Sequence, residues 1–341
     1  MPTLLTNKRM SPELAARIEK SLRDGRTARL GHRWVAVLRV AVLLVIVSSV
    51  ISLIRFRLEQ KSEFTRDKQE LLRAIADAGP LSEADQQVVP GVERWLKRLA
   101  EGAGEDKIAA ALSGDDAALR KLLKQPSVYV RGDVDAFAAR GSLREAAANS
   151  QNDAFVLCLL DPPSERTEKA LLRKVRAAYA GGDTLRETTQ HVSRLHAAHV
   201  GLQYLSPEWA ERVRATESPA ALARLKQQYA AAPLDATRQV LRSRLLLALM
   251  DQPGEPGKPI ELDGERPHPV RFALVDLAAG KLLLQLRRSV DPSWVSPKQR
   301  ARYSRGLDDC ALAMDIHSAL APATASAESS SAAPAGSAAP K

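Results

Sequence analysis

Residues 34–54 read WVAVLRVAVLLVIVSSVISLI, a run of 21 residues carrying one charge. As a helix rising about 1.5 Å per residue it extends roughly 31 Å, the hydrocarbon thickness of a bilayer. The run predicts a single transmembrane helix, with the lipid bilayer as its partner. The one charge, Arg39, lies near the N-terminal end, where its apolar stem lets the guanidinium reach back to the headgroups. A cleavable signal peptide fits poorly: a long polar segment precedes the run, the run is too long, and no A-x-A-like site follows. A retained signal anchor is expected.

The formal charge of +10 raises the question of a nucleic-acid or anionic-membrane partner, and its placement answers it. Residues 1–73 hold fifteen Lys and Arg against seven Asp and Glu, while residues 74–341 hold 35 against 33. The large C-terminal part is therefore nearly neutral, and its few aromatics form no cluster interleaved with basic residues to stack on bases. A nucleic-acid partner is not expected. Arg outnumbers Lys 35 to 15 and Ala is abundant, the coding habit of a GC-rich bacterial gene.

Orientation follows from Lys and Arg near the membrane. The nearest flanks tie: Lys20, Arg23, Arg26, Arg29 and Arg33 on one side, Arg55, Arg57, Lys61, Arg66 and Lys68 on the other. Widening the window favours the N-terminal flank eight to six. The expectation is a bacterial inner-membrane protein with its N-terminus cytoplasmic and its C-terminal domain outside the cytoplasm. Ser11-Pro12-Glu13 opens a short amphipathic helix with the stripe Leu14, Ile18 and Leu22, read either as lying on the anionic leaflet or as a solvated tail. Ser48 and Ser52 form a small-xxx-small pair that would let two anchors approach as a homodimer, a spacing that also arises by chance.

Beyond the anchor, residues 55–125 alternate charged helical stretches with breakers at Gly79-Pro80, Pro90-Gly91 and residues 102–104, which predicts a helical juxtamembrane stalk or subdomain of short helices. Val92, Trp95, Leu96 and Leu99 recur at helical spacing. From Ser127 the pattern changes to short apolar runs bounded by turn residues. Strands are expected over residues 127–131 (SVYVR) and 154–160 (AFVLCLL). The period is helical again over 165–249, with Ser206-Pro207 and Ser218-Pro219 as helix starts, and residues 244–250 (RLLLALM) read as a buried strand. Residues 270–277 and 281–288, joined by Ala278-Ala279-Gly280, predict a hairpin, and Ser296-Pro297 opens a last helix through Leu307, Ala311, Met314 and His317. Residues 319–341 are low-complexity Ala, Ser and Pro, expected to be disordered. The fold class expected for residues 126–318 is α+β, a mixed sheet with packed helices.

Candidate chemistry is sparse. The loop at 254–269 gathers Asp263, Glu265, Arg266 and His268 between sheet elements, a candidate ligand site that also looks like any solvated loop. His196 and His199 stand one turn apart, weak metal candidates lacking a third ligand, and His199 sits equally well as a structural residue at the edge of an apolar stripe. Cys158 and Cys310 form no zinc or redox motif. They are core residues, or a disulfide if the domain is outside the cytoplasm. Arg131-Gly132-Asp133 matches an adhesion tripeptide, which three common residues do by chance. No Gly-rich phosphate loop, G-x-S-x-G elbow, H-E-x-x-H helix or EF-hand loop occurs, and no cofactor is expected. The reading that results is a membrane-anchored envelope protein whose α/β domain binds a ligand or a protein partner. The alternatives are an envelope enzyme with its site on the 254–269 loop and a tethered regulatory domain facing the cytoplasm.

Overall fold

The computed structural model describes residues 11–79, 81–102, 104–150, 154–180, 183–253 and 267–321. The chain divides after Glu70 into two units. The first is formed by helix α1 (Pro12–Ala78), whose last turns belong to the second unit. It begins at the expected Ser11-Pro12 and continues without interruption through the apolar run, so the amphipathic segment and the run share one helix. From Val37 onward α1 is long and apolar enough to cross a membrane, and its apolar side chains are exposed on every side.

The second unit follows in chain order. Helix α2 (Glu83–Glu101), β1 (Lys107–Ile108), α3 (Asp116–Leu122), β2 (Ser127–Asp133), α4 (Arg140–Asn149), α5 (Ala154–Leu160), α6 (Glu168–Ala180) and α7 (Asp183–Thr189) form its first half. Strand β3 (Val192–Arg194), α8 (Leu195–Gly201), α9 (Pro207–Ala215), α10 (Pro219–Ala230), α11 (Leu234–Leu241), β4 (Leu245–Asp251), β5 (His268–Asp276), β6 (Lys281–Val290) and α12 (Pro297–Leu320) form the second. The six strands make one mixed sheet in the order β1-β6-β5-β4-β2-β3. Strand β2 runs parallel to both β3 and β4, and the remaining pairs are antiparallel. The fold is α+β, a mixed sheet with packed helices, as expected, and the helices lie on both faces of the sheet.

Alternation along the strands assigns the two faces. Tyr129, Leu245, Leu247, Leu249, Phe272 and Leu274 face a core shared with α5, α6 and α12. Val128, Val130, Leu246, Ala248 and Met250 face the other, shared with α2, α4, α8 and α11. The hairpin forms at its expected place: Gly280 takes φ +61° and Asp276 Oδ1 accepts from the Ala279 N–H at 2.8 Å.

Three expectations are corrected. Residues 154–160 are helix α5, not a strand: six of its seven residues are fully buried, so the all-apolar run carries no period to tell the two apart. Strand β2, its natural partner in a sheet, is already paired on both edges, leaving α5 to pack against α12 with Phe155 between Tyr129 and Phe272. Pro90-Gly91 does not break α2, which runs through it because Val89, Val92, Leu96 and Leu99 on either side are buried in the domain core. Residues from Leu71 onward belong to the second unit, and β1 pairs with β6. The third is β3, lying within residues expected to be helical; three residues are too few for a legible alternation.

The breaker at residues 102–104 does real structural duty. Gly104 has φ +75° and packs against the Arg271 side chain, where a Cβ would lie 2.6 Å from Cδ. Arg271 Nη1 donates to the carbonyls of Leu99 (3.0 Å) and Gly102 (2.8 Å), satisfying the end of α2.

Candidate functional site: a cavity at the ends of two parallel strands

Strands β2 and β4 end side by side, with Asp133 opposite Asp251. Arg131, Asp133 and Asp251 fall on the same face as Tyr129 and Leu249, toward α12. A cavity of about 700 Å3 opens there, lined by these three residues, by Asp135 and Glu145 beyond β2, by Tyr179 on α6, and by Arg305 and Asp309 on α12. Carboxyl ends of parallel strands are where open α/β sheets place their ligands, because the loops leaving them diverge and leave a crevice.

The floor is a buried ion network. Arg131 donates from Nε to Asp251 Oδ2 (2.9 Å) and from Nη2 to Asp251 Oδ1 (3.0 Å), a two-pronged pair, and from Nη1 to Asp309 Oδ1 (2.7 Å). All three side chains are at least nine-tenths buried. His268 Nε2 donates to Asp251 Oδ1 at 3.3 Å, and the Arg131 N–H donates to Ser150 Oγ at 3.0 Å. Burial alone would raise the Asp251 carboxyl, but the Arg131 charge and the hydrogen bonds from His268 and Arg131 overcome it and hold Asp251 well below the usual carboxylate range. Burial would likewise lower Arg131, and the charges of Asp309 and Asp251 more than reverse it. Asp133 has no such partner. Burial, followed by the charges of Asp251 and Asp135, raises its carboxyl.

Helix α12 carries a second carboxylate inward. Asp308 is 2% exposed and accepts from Trp294 Nε1 at 3.1 Å. Burial pushes it up to about 7, the Trp294 hydrogen bond opposing and the charges of Asp309 and Asp291 adding. The next residue but one, Cys310, is bonded to Cys158 of α5, so the turn of α12 that presents Asp308 and Asp309 is covalently tied to its neighbour.

Of the candidate loop, Asp263, Glu265 and Arg266 lie outside the described residues. His268 is the first residue of β5, 5% exposed and bonded to Asp251, so it supports the cavity floor from behind instead of standing on a loop. His196 and His199 sit on α8, as their spacing requires, while His191 precedes β3 and donates Nε2 to the Leu123 carbonyl (2.6 Å). His199 meets Glu93 of α2 at 3.2 Å, and burial lowers its pKa against the pull of that carboxylate. Among the described residues, no three His, Cys, Asp or Glu come together to hold a metal ion. Arg131 of the adhesion-like tripeptide is committed to the network and is not presented to solvent.

That Arg131, Asp251 and Asp309 form one network was not legible in the sequence, because each looks ordinary in its place. Arg131 and Asp251 read as polar residues closing apolar strands, and Asp308-Asp309 as a polar step on an amphipathic helix. The one available signal was that this step lies between Leu307 and the apolar run Cys310 to Ala313. Comparisons of the chain with protein-family models, curated proteins and solved structures find no match to any of them.

Proposed function

We propose that the protein is a single-pass membrane protein of a bacterial cell envelope, anchored by residues 34–54, whose α+β domain stands outside the cytoplasm and binds a ligand in the cavity at the ends of β2 and β4. The observation that carries the binding reading is the cavity itself, concave, set at the carboxyl ends of adjacent parallel strands and floored by a rigid charged network. Its place outside the cytoplasm is supported by the Cys158–Cys310 bond, since structural disulfides persist in oxidising compartments and are rare in the cytosol. The wider Lys and Arg count before the anchor supports the same orientation.

A topology assay tests this reading. A phosphatase active only outside the cytoplasm and a fluorescent reporter active only inside are each joined to the C-terminal end of the chain. Phosphatase activity without fluorescence is expected, together with two cysteines that, in the denatured protein, resist alkylation until it is reduced. Fluorescence with both thiols freely alkylated would overturn the placement and turn the search toward cytoplasmic partners.

A further inference from the structure

A buried arginine in a cavity ordinarily announces an anionic ligand, because its planar fork matches carboxylate and phosphate. Here the fork is already occupied: Nε and Nη2 are bonded to Asp251 and Nη1 to Asp309. One guanidinium thus faces two carboxylates in the floor. Around the whole cavity five carboxylates (Asp133, Asp135, Glu145, Asp251 and Asp309) stand against two guanidiniums, those of Arg131 and Arg305. The walls, with Asp133, Asp135 and Glu145 against Arg305, are negative on their own. We propose, building on the binding reading above, that the cavity takes a small organic cation, a molecule whose protonated amine or guanidinium groups face the carboxylates of Asp133, Asp135 and Glu145 around its wall.

Three further observations converge on this class. Asp133 closes β2 directly opposite the buried Asp251, and burial, followed by the charges of Asp251 and Asp135, raises its carboxyl, so a positive group placed beside it relieves a conflict already built into the strand ends. Tyr179, 52% exposed, lines the cavity with one face of its ring stacked on Tyr303 at 5.9 Å, and an aromatic residue beside a cationic group is favourable, most strongly in a partly desolvated site. The volume of about 700 Å3 suits an organic molecule of several carbons, and the carboxylates are spread around the walls instead of converging as metal ligands do.

The test uses the full chain in a neutral detergent, titrated calorimetrically with putrescine and arginine amide as cationic probes, citrate as an anionic one and glucose as a neutral one. Asp133→Asn and Glu145→Gln remove charge at positions not fully buried, and Asn149→Trp, at an exposed position on the lining, fills the cavity. Saturable binding of a cationic probe is expected, weakened at least tenfold by either charge variant and by Asn149→Trp, and weakened by added salt. Cation binding indifferent to those substitutions would overturn the proposal. So would citrate or glucose binding that Asn149→Trp abolishes, which would leave the cavity standing as a binding site with the ligand class wrong. If none of the four probes binds in a manner sensitive to Asn149→Trp, both the ligand class and the cavity's role as a binding site fall. Circular dichroism of each variant separates lost binding from lost fold.

Discussion

Arg131 and Asp251 are joined by two hydrogen bonds, Nε to Oδ2 at 2.9 Å and Nη2 to Oδ1 at 3.0 Å, between the end of β2 and the last residue of β4. The pair lies between neighbouring parallel strands, and a third bond from Nη1 to Asp309 (2.7 Å) carries it across to α12. Sheet and helix are therefore clamped at the floor of the cavity. Arg131→Met would leave two buried carboxylates without their cation and should destabilise the domain by about 3–5 kcal/mol. The combined variant Arg131→Met, Asp251→Leu, Asp309→Leu removes the stranded charges as well and should recover much of that loss. Urea unfolding of the three proteins side by side checks this, and equal damage in the single and combined variants would show that the network's geometry, not its charge balance, sustains the fold.

The second buried acid on α12 sets a pH dependence. Asp308 is held up to about 7 from an ordinary 3.8, so near neutral pH the folded state keeps a proton that the unfolded chain has already released. The stabilisation from that proton is complete below about pH 4 and is lost as the pH rises through 7, a change of at most about 4 kcal/mol. Asp308→Asn, which keeps an acceptor for Trp294 Nε1, should flatten the fall in melting temperature between pH 5 and pH 8. A wild-type melting temperature that does not fall over this interval would contradict the raised value.

Closing a loop of 152 residues, the Cys158–Cys310 bond joins α5 to α12 in the middle of the core. Loops of this length place the loss on reduction at the upper end of the usual range, about 4–5 kcal/mol in the chain-entropy description. The double variant Cys158→Ala, Cys310→Ala should therefore melt well below the oxidised protein and should no longer respond to reductant. Neither sulfur is a thiol while the bond stands, so alkylation of the denatured, unreduced protein should modify neither.

Helices α8 and α11 approach at Gly201, where an added Cβ would lie 1.9 Å from Thr237 Oγ1 and 2.9 Å from Thr237 Cβ. Thr237 Oγ1 is engaged there, within 2.8 Å of the carbonyl of Ala197 and of that of Pro233. Gly201→Ala should destabilise the domain by about 1–3 kcal/mol through overpacking, and Thr237→Ala should restore part of it in the double variant while being unfavourable alone. A strictly additive thermal-unfolding cycle would rule out the contact as the cause.

Much of the layout was legible in the chain alone, for local reasons. The apolar run at 34–54 needs no partner to declare itself, since length and the absence of charge are properties of the segment. Helix starts at Ser11-Pro12, Ser206-Pro207, Ser218-Pro219 and Ser296-Pro297 lie where the sequence places them, because proline pre-sets the first helical φ and lacks only an N–H that the helix would leave unbonded. The hairpin of β5 and β6 was equally plain, its turn demanding a residue at positive φ and offering Gly280.

What lay beyond the sequence were matters decided between distant segments. Whether AFVLCLL is strand or helix depends on whether β2 has an edge to offer, and both of its edges are taken by β3 and β4. Whether Pro90 ends a helix depends on the core that Val89 and Val92 enter on either side of it. Arg131, Asp251, Asp309 and His268 come from four elements as much as 178 positions apart, and each is chemically unremarkable until the sheet order sets β2 against β4 and the disulfide holds α12 over their ends. Local pattern determines which segments are helical, extended or apolar, because those preferences act over a few residues; the cavity and its charge exist only in the tertiary structure, because Coulombic and packing partners are chosen by proximity in space.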